Sequence, residues 1–255
     1  RVFRLVSVCM VFCLAAAAMA QPDVCPALVA VALATTGDQC GSVSQNTLCY
    51  GNATVSVTAR DADAATTFAA PGDTVDLSAI SAVQTAALDA DEAAWGVALL
   101  ALQANITDAQ PGQHLTVVQF GDVTLEDAGD PAADAPMQAF TLRSGVGAPP
   151  CTEAPASGIL IQTPSGVGNV QLGINGVDVT LGSTAVVRAV AGGSMRFTIL
   201  EGFASLTLDE NTPSVTVLPF KTAVLMLVAD GLQTGVVTVE DAIPADWAAL
   251  PLTLL

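Results

Sequence analysis

The second half of the chain alternates short apolar runs with turn-forming residues, and this pattern limits the possible folds more than any other feature. Eight runs lie at residues 158–162, 170–174, 177–181, 184–191, 195–200, 203–208, 214–220 and 222–228. Asn175-Gly176 separates two of them, and this pair is the strongest short signal for a hairpin with a type I′ turn. Strands at this spacing exclude a βαβ fold and predict an antiparallel β-sandwich, barrel or β-roll.

The first 20 residues have the layout of a secretory signal peptide. Arg1 and Arg4 precede an apolar run over residues 5–20, and Ala18 and Ala20 form an A-x-A cleavage site. The run has 16 residues, fewer than the roughly 20 that span a bilayer, although an uncleaved membrane anchor is the alternative. We therefore expect Sec-type export to the periplasm, the cell surface or the medium, and no membrane span after cleavage.

Cysteine usage agrees with export. Cys9 and Cys13 leave with the predicted signal peptide, and four cysteines remain, which are Cys25, Cys40, Cys49 and Cys151. In an exported chain they predict two disulfides with three possible pairings. Zinc is the competing interpretation, but no C-x2-C pair occurs. A helix over residues 26–34 would separate Cys25 from Cys40, which favours the pairs Cys25–Cys49 and Cys40–Cys151.

Two segments poor in large apolar residues, 126–137 and 145–157, mark a predicted domain boundary. After the signal peptide at residues 1–20, we expect a cysteine-stapled, β-rich region with one helix over residues 21–148. An all-β domain with a short C-terminal helix near Trp247 then covers residues 149–255. The predicted fold class is therefore mainly β.

The first region contains one predicted helix, over residues 25–37, because Pro26 suits a first turn and Gly37 suits a C-terminal cap. A disulfide-stapled loop is expected over residues 39–52. Residues 84–94 fit either a short helix or a loop. Predicted strands follow the apolar alternation at residues 54–60, 74–77, 95–105, 115–120 and 138–144.

Three motifs between residues 181 and 228 carry a family resemblance. They are Gly182-Ser183-Thr184, Leu200-Glu201-Gly202 and the alternation around Val215 and Val217. With these motifs, residues of about 158–230 resemble the FecR-type domain, named for a periplasmic regulator of iron uptake. The resemblance implies an all-β extracytoplasmic interaction domain without catalytic residues, of a family that pairs with a membrane sensor and an anti-sigma segment.

The motifs of common catalytic sites are missing from the sequence. His114 is the only histidine and is expected to be a solvated residue at the end of a strand. No G-x-S-x-G, no S-x-x-K leading to Lys221, no D-[ST]-G and no glycine-rich nucleotide motif occurs. We therefore predict no catalytic residue and no cofactor. A pair of the 24 acids could still hydrolyse a glycosidic bond.

Calcium is a weak metal candidate, because carboxylates lie close together in predicted turns and hard oxygen ligands suit this ion. The candidate ligands are Asp61, Asp63, Asp89, Asp91 and Glu92, with a further group at Glu126, Asp127 and Asp130. None of these groups completes the D-x-[DN]-x-[DN]-G loop. A role in keeping the turns soluble explains these acidic residues equally well.

The charge balance limits the partners. The chain has 24 acids against seven Lys and Arg, for a formal net charge of −17, so it cannot neutralise a run of phosphates in a nucleic acid. An acidic surface favours cationic partners and repels anionic polymers. We expect a non-catalytic binding or scaffolding protein of the bacterial cell envelope, FecR-like in signal sensing, with a protein or glycan partner. The alternative is a cell-wall glycan hydrolase or a glycan-binding module.

Overall fold

A computed structural model describes residues 24–60, 67–103, 113–147, 149, 151–209, 211–228 and 233–255, with the side chains of residues 233–236 left out. The predicted signal peptide lies outside the described residues. Within them the chain is mainly β, with an N-terminal helix stapled by disulfides, which confirms the predicted fold class.

The described residues form two α-helices, two short 3-10 helices and 15 strands. The helices are α1 (Val24–Cys40), η1 (Leu77–Ala79), α2 (Pro244–Trp247) and η2 (Leu252–Leu254). The strands are β1 (Thr47–Asn52), β2 (Val55–Ala59), β3 (Thr74–Asp76), β4 (Ile80–Thr85), β5 (Val97–Leu102), β6 (Leu115–Phe120), β7 (Val123–Asp127), β8 (Ala139–Ser144), β9 (Gly158–Gln162), β10 (Val170–Ile174), β11 (Val177–Ala189), β12 (Ser194–Thr207), β13 (Val215–Val217), β14 (Lys221–Leu227) and β15 (Gln233–Asp241).

All 15 strands belong to one hydrogen-bonded sheet that curls so that its two halves share a core. We call these halves layer I, in the order β2-β4-β7-β8-β10, and layer II, in the order β3-β1-β5-β6-β9. Strand β11 joins them, because it pairs with β10 and with β9. The ladder between β8 and β10 is parallel, so the sheet is mixed.

The long strands β11 and β12 serve both layers. Residues 177–181 of β11 pair with β10, and residues 184–187 pair with β9. On β12, residues 204–206 pair with β13 in layer I, and residues 194–198 pair with β14 in layer II. The two strands therefore form a continuous ribbon that leaves one layer and enters the other.

The ribbon changes layer at a β-bulge. Ser183 lies opposite Gly202, with φ angles of 132° and 74°, and the register then shifts so that Leu200 is the extra residue. The sequence pattern predicts a turn at Glu201-Gly202 and separate strands on either side. That prediction is wrong, because Gly202, with its positive φ, lies next to a bulge inside β12, and β12 stays paired with β11 on both sides of it.

The predicted hairpin at Asn175-Gly176 is confirmed. Both residues have positive φ, 52° and 75°, as a type I′ turn requires. The buried Asn175 amide also accepts a hydrogen bond from the Leu142 N–H at 2.8 Å and donates one to the Leu142 carbonyl at 3.0 Å. This pair of bonds ties the turn to β8 beside the parallel ladder.

Layer II is buried on both faces. Val117 of β6 points into the core between the layers, whereas its neighbour Val118 packs into a second cluster with Val29 and Ala32 of α1. Every residue of β5 is buried for the same reason. Helix α1 and the C-terminal residues cover the outer face of layer II.

The disulfides join Cys25 to Cys151 and Cys40 to Cys49, with Cα atoms 6.2 and 5.8 Å apart. The preferred pairing of Cys25 with Cys49 and of Cys40 with Cys151 is therefore wrong. The helix does separate Cys25 from Cys40, as the pairing assumed, but α1 continues to Cys40 and a short reversal leads straight into β1, where the sequence predicts a loop over residues 39–52. Cys49 of β1 therefore bonds to Cys40 at the C-terminal end of α1. Cys25 at the N-terminal end of the helix bonds to Cys151, in the segment before β9.

A partly buried ion pair holds the C-terminal segment on layer II. Arg196 donates from Nη2 to Asp246 Oδ2 at 3.0 Å and from Nε to Oδ1 at 3.2 Å, and Arg188 donates to the Asp246 carbonyl at 3.0 Å. Burial raises the pKa of Asp246, but hydrogen bonds from Arg196, the Ile243 N–H and Thr222, together with the Arg196 charge, outweigh it and lower that pKa. Next to it, Trp247 lies in α2, as predicted.

Several elements differ from the expected pattern. Strands β1, β4, β7 and β15 were not predicted, and the segment over residues 84–94 contains the end of β4 and an isolated bridge between Asp89 and Ala94. The ladders β6–β9 and β8–β10 cross the proposed boundary at residue 148, and the division into two domains stays a prediction. None of the helices in the described ranges is long and apolar enough to cross a membrane.

Removal of the two disulfides separately should have unequal effects. The cysteines of the Cys25–Cys151 bond are 126 residues apart in the sequence and those of the Cys40–Cys49 bond are nine apart. The Cys25–Cys151 bond therefore closes the longer loop and lowers the entropy of the unfolded chain more than the Cys40–Cys49 bond does. We expect the Cys25→Ser/Cys151→Ser variant to lose about 2 kcal/mol more than the Cys40→Ser/Cys49→Ser variant. Urea unfolding measures both values, and an equal or reversed order would contradict the prediction.

A methyl group at Gly202 should destabilise the bulge. A Cβ there would overlap the Gly182 carbonyl oxygen, whereas a Cβ at Gly192, which also has positive φ, meets nothing within 4 Å. We therefore expect Gly202→Ala to cost about 1–3 kcal/mol more than the matched control Gly192→Ala. Equal losses in thermal unfolding would show that backbone strain alone, and not this overlap, sets the cost.

Asp246 should make stability depend on pH. Its pKa is lower in the folded chain than the ~3.9 of an unfolded Asp, so its contribution is present above that value and disappears as the pH falls through the folded pKa. Above about pH 5 we expect Asp246→Asn to cost roughly 2 kcal/mol, and the difference from wild type should shrink in acid. The exposed Asp178 of β11 provides the control variant Asp178→Asn, which should change stability little. A pH-independent loss in Asp246→Asn would refute this assignment.

Candidate functional site

Two surfaces have features that a binding partner could use, and the first lies at the bulge of the β11–β12 ribbon. The structure brings together two of the three motifs of the FecR-like resemblance there, since Ser183 lies opposite Gly202 and Thr184 lies opposite Glu201. The loop between β9 and β10, which includes Gly166 and Gly168, forms the other wall.

We call this hollow the corner depression, and its volume is about 550 Å³. This volume lies within the usual range for small-ligand sites. Its main polar and aromatic side chains are those of Gln162, Ser165, Asn169, Ser183, Glu201 and Phe203.

Phe203 forms an aromatic wall over a glycine. Gly182 lies directly opposite Phe203, and a Cβ at Gly182 would lie 3.2 Å from Phe203 Cε1 and 2.7 Å from Asn169 Oδ1. The missing side chain therefore lets the ring and the Asn169 amide approach the same backbone. The Phe203 side chain remains 37% exposed.

The charge of the corner depression comes from a single carboxylate. Glu201 is exposed, and the described lining residues include no other acid and no Lys or Arg. Hydrolysis of a glycosidic bond by the usual mechanism needs a second carboxylate at a set distance. The lining of the corner depression does not supply that pair.

The second surface is the open side of β15, which we call the edge surface. Among the described strands, β15 pairs with β14 alone. Its regular ladder covers Val237–Val239 and continues to Asp241, opposite residues 221–225, and a register shift interrupts the pairing before Val237. Unpaired backbone N–H and C=O groups along such an edge can accept a strand from another chain.

Exposed apolar side chains accompany the edge surface. Val239 is 44% exposed and Phe220 is 62% exposed, and Ile243, the second residue after β15, is also exposed. The Phe220 ring packs edge-on against Trp247 with centroids 5.9 Å apart. Phe220 is therefore held in place although most of its surface contacts solvent.

Ion pairs fix the last residues of β15 to the strands behind it. Lys221 contacts Asp241, and its hydrogen bond and charge lower the pKa of that carboxyl. Arg196 donates to Glu240 at 2.9 Å as well as to Asp246. One arginine thus links β12, the end of β15 and α2.

The calcium candidates are separated or engaged in turns. Asp61 and Asp63 lie outside the described residues. Asp89 Oδ1 accepts hydrogen bonds from the backbone N–H groups of Asp91 and Glu92, at 2.8 and 3.0 Å. No group of three or more potential ligands comes together in the described ranges.

The third acidic group is distributed over other contacts. Asp127 pairs with Arg60, Glu126 lies 3.3 Å from Arg143, and Asp130 Oδ1 accepts from the Ala132 N–H at 2.9 Å.

His114 lies half-buried before β6, near the C-terminal end of the chain. The sequence did not single out Phe203, Asn169 or Val239 as binding residues. The alternation at residues 236–239 is a strand signal that could have revealed β15, whereas the position of Phe203 beside Asn169 depends on the bulge and has no local signal.

Comparisons with known proteins find only partial similarity. No protein-family model matches the chain, and no curated protein matches it in sequence. Two crystal structures, at 1.65 and 2.50 Å resolution, of a "putative anti-sigma factor" from Parabacteroides distasonis are similar to part of the chain at 9% identity. The TM-scores are 0.34 and 0.35, with 51% and 57% of this chain covered. The matches span 52% and 60% of those chains.

Proposed function

We propose that this chain is an exported, non-catalytic binding protein of the bacterial cell envelope that recognises a protein partner by strand addition at β15. The edge surface carries the proposal: five regular residues, 237–241, have an open side beside exposed apolar side chains. The two disulfides are typical of oxidising compartments outside the cytoplasm. A sensing role of the kind implied by the FecR-like resemblance belongs to the same proposal.

The sequence of the edge supports use by a partner. Natural proteins usually protect edge strands with Lys, Pro or very short length. Residues 237–241 contain neither Lys nor Pro, and Val239 lies in their centre. The other outer strands among those described are β2, with five residues, and β3 and β13, with three each. Strand β15 has nine residues and is the longest of the four.

The occupant is an extended segment of another protein rather than a second copy of this chain. A net charge of −17 makes two copies repel. Glu240 and Asp241 are both exposed at the end of the edge, so the partner segment should contain Lys or Arg near its paired residues. Apolar residues on the same segment would contact Val239 and Phe220.

A lysine in the centre of the edge should prevent pairing with a partner. Val239 is 44% exposed and Val228, at the end of β14, is 41% exposed, so Val228→Lys matches Val239→Lys in exposure without lying on the edge. We place a photo-crosslinking residue at Thr238, which is exposed, in the full chain and mix it with the envelope fraction. The wild type and Val228→Lys should crosslink to the same protein through an extended basic segment, and Val239→Lys should lose at least nine tenths of that product.

Three results would contradict the proposal. They are no crosslinked protein at all, an undiminished product with Val239→Lys, and a crosslink between two copies of this chain. Thermal unfolding of both lysine variants provides the control, since two exposed substitutions should leave the melting temperature close to that of wild type.

A further inference from the structure

The outer face of layer I carries a row of uncharged polar side chains, with the exposed Asp178 two residues before Thr180 on the same face. Gln171, Thr180, Ser205 and Thr216 lie directly opposite one another on four adjacent strands, β10 to β13. They alternate with core residues, so they point away from the core, and each is exposed or half-buried. This face differs from that of layer II, which α1 and the C-terminal residues cover.

The corner depression lies beside this polar row. Phe203 is two residues before Ser205 on β12 and therefore lies on the same face, at a distance of roughly 7 Å along the strand. A ligand that rests on Phe203 could thus extend over Ser205 and Thr180. The depression and the row form one continuous track.

The polar groups in the corner depression have unused hydrogen-bonding capacity. The amides of Gln162 and Asn169 and the carboxylate of Glu201 line the hollow. Each amide offers two donors and one acceptor. Their density around one aromatic ring is the arrangement that small-ligand sites use to fix orientation.

We propose that the corner depression and the adjoining polar row bind a neutral oligosaccharide. The Phe203 ring suits the apolar C–H face of a sugar ring, and the amides and Glu201 suit its hydroxyl groups. An anionic sugar is disfavoured, because the described lining supplies no Lys or Arg and the chain carries a net charge of −17. This site lies apart from the edge surface and does not depend on the function proposed for it.

Calorimetric titration of the full chain with defined hexasaccharides tests the proposal. The neutral probes are cellohexaose, laminarihexaose and N-acetylated chitohexaose, and the anionic probe is hexagalacturonate. We expect at least one neutral hexamer to bind with a dissociation constant below about 1 mM, and hexagalacturonate to bind at least tenfold more weakly. Absence of binding by all neutral hexamers, or equal binding of the anionic one, would overturn the proposal.

Variants locate the site. Phe203→Ala should weaken binding at least tenfold, Phe203→Trp should retain it, and Phe220→Ala, which removes an exposed phenylalanine on the edge surface, should leave it unchanged. If Phe203→Ala fails to fold, Asn169→Ala replaces it, because Asn169 is exposed and its loss should weaken binding at least threefold. Full affinity in a folded Phe203→Ala or Asn169→Ala variant would refute the site.

Two further readouts separate this proposal from the others. Val239→Lys should bind the hexamer as wild type does, so failure of the edge surface and failure of the saccharide site are distinguishable. Mass spectrometry after prolonged incubation should recover the hexamer intact. Shorter products would overturn a purely binding role for this site.

Discussion

The fold depends on one backbone constraint, which is that the β11–β12 ribbon must pass from one layer to the other while its strands stay paired. A flat ribbon could not do this, because each half must present its apolar side to a core that lies between the layers. The bulge at Leu200, beside the opposed pair Ser183 and Gly202, supplies the bend. Gly202 lies so close to the Gly182 carbonyl oxygen that a Cβ at this position would overlap it. The 12 residue pairs of this ribbon then place β9, β10, β13 and β14.

Layer II needs a second apolar element over its outer face, which layer I does not need, and the disulfides hold that element in place. The residues of β5 are apolar on both faces, so the strand is stable only beneath a second apolar element. Helix α1 is that element, and a bond at each end holds it against the sheet. The Arg196–Asp246 pair holds the C-terminal segment on the same face. Layer I keeps its outer face polar and therefore remains open to solvent and ligands.

Local patterns in the sequence carried much of this fold. Neighbouring residues alone predict the type I′ turn at Asn175-Gly176. They also predict three strands with the correct bounds, at residues 115–120, 158–162 and 170–174. Properties that depend on distant residues were less accessible. The disulfide pairing required the length of α1, and the merging of four predicted strands into β11 and β12 required knowing that Gly202 serves a bulge. Positive φ occurs in both turns and bulges, so glycine alone does not separate them.

The candidate sites follow the same division between local and distant information. The motifs around Ser183 and Glu201 were visible in the sequence, but they were interpreted as strand boundaries, and only the ladder places them at one corner. Phe203 looks like an ordinary strand residue until Gly182 is found opposite it. Once the bulge turns the ribbon, the loss of a side chain at Gly182 opens space that the Phe203 ring and the Asn169 amide share. The bend that lets one sheet form two layers therefore also forms the hollow.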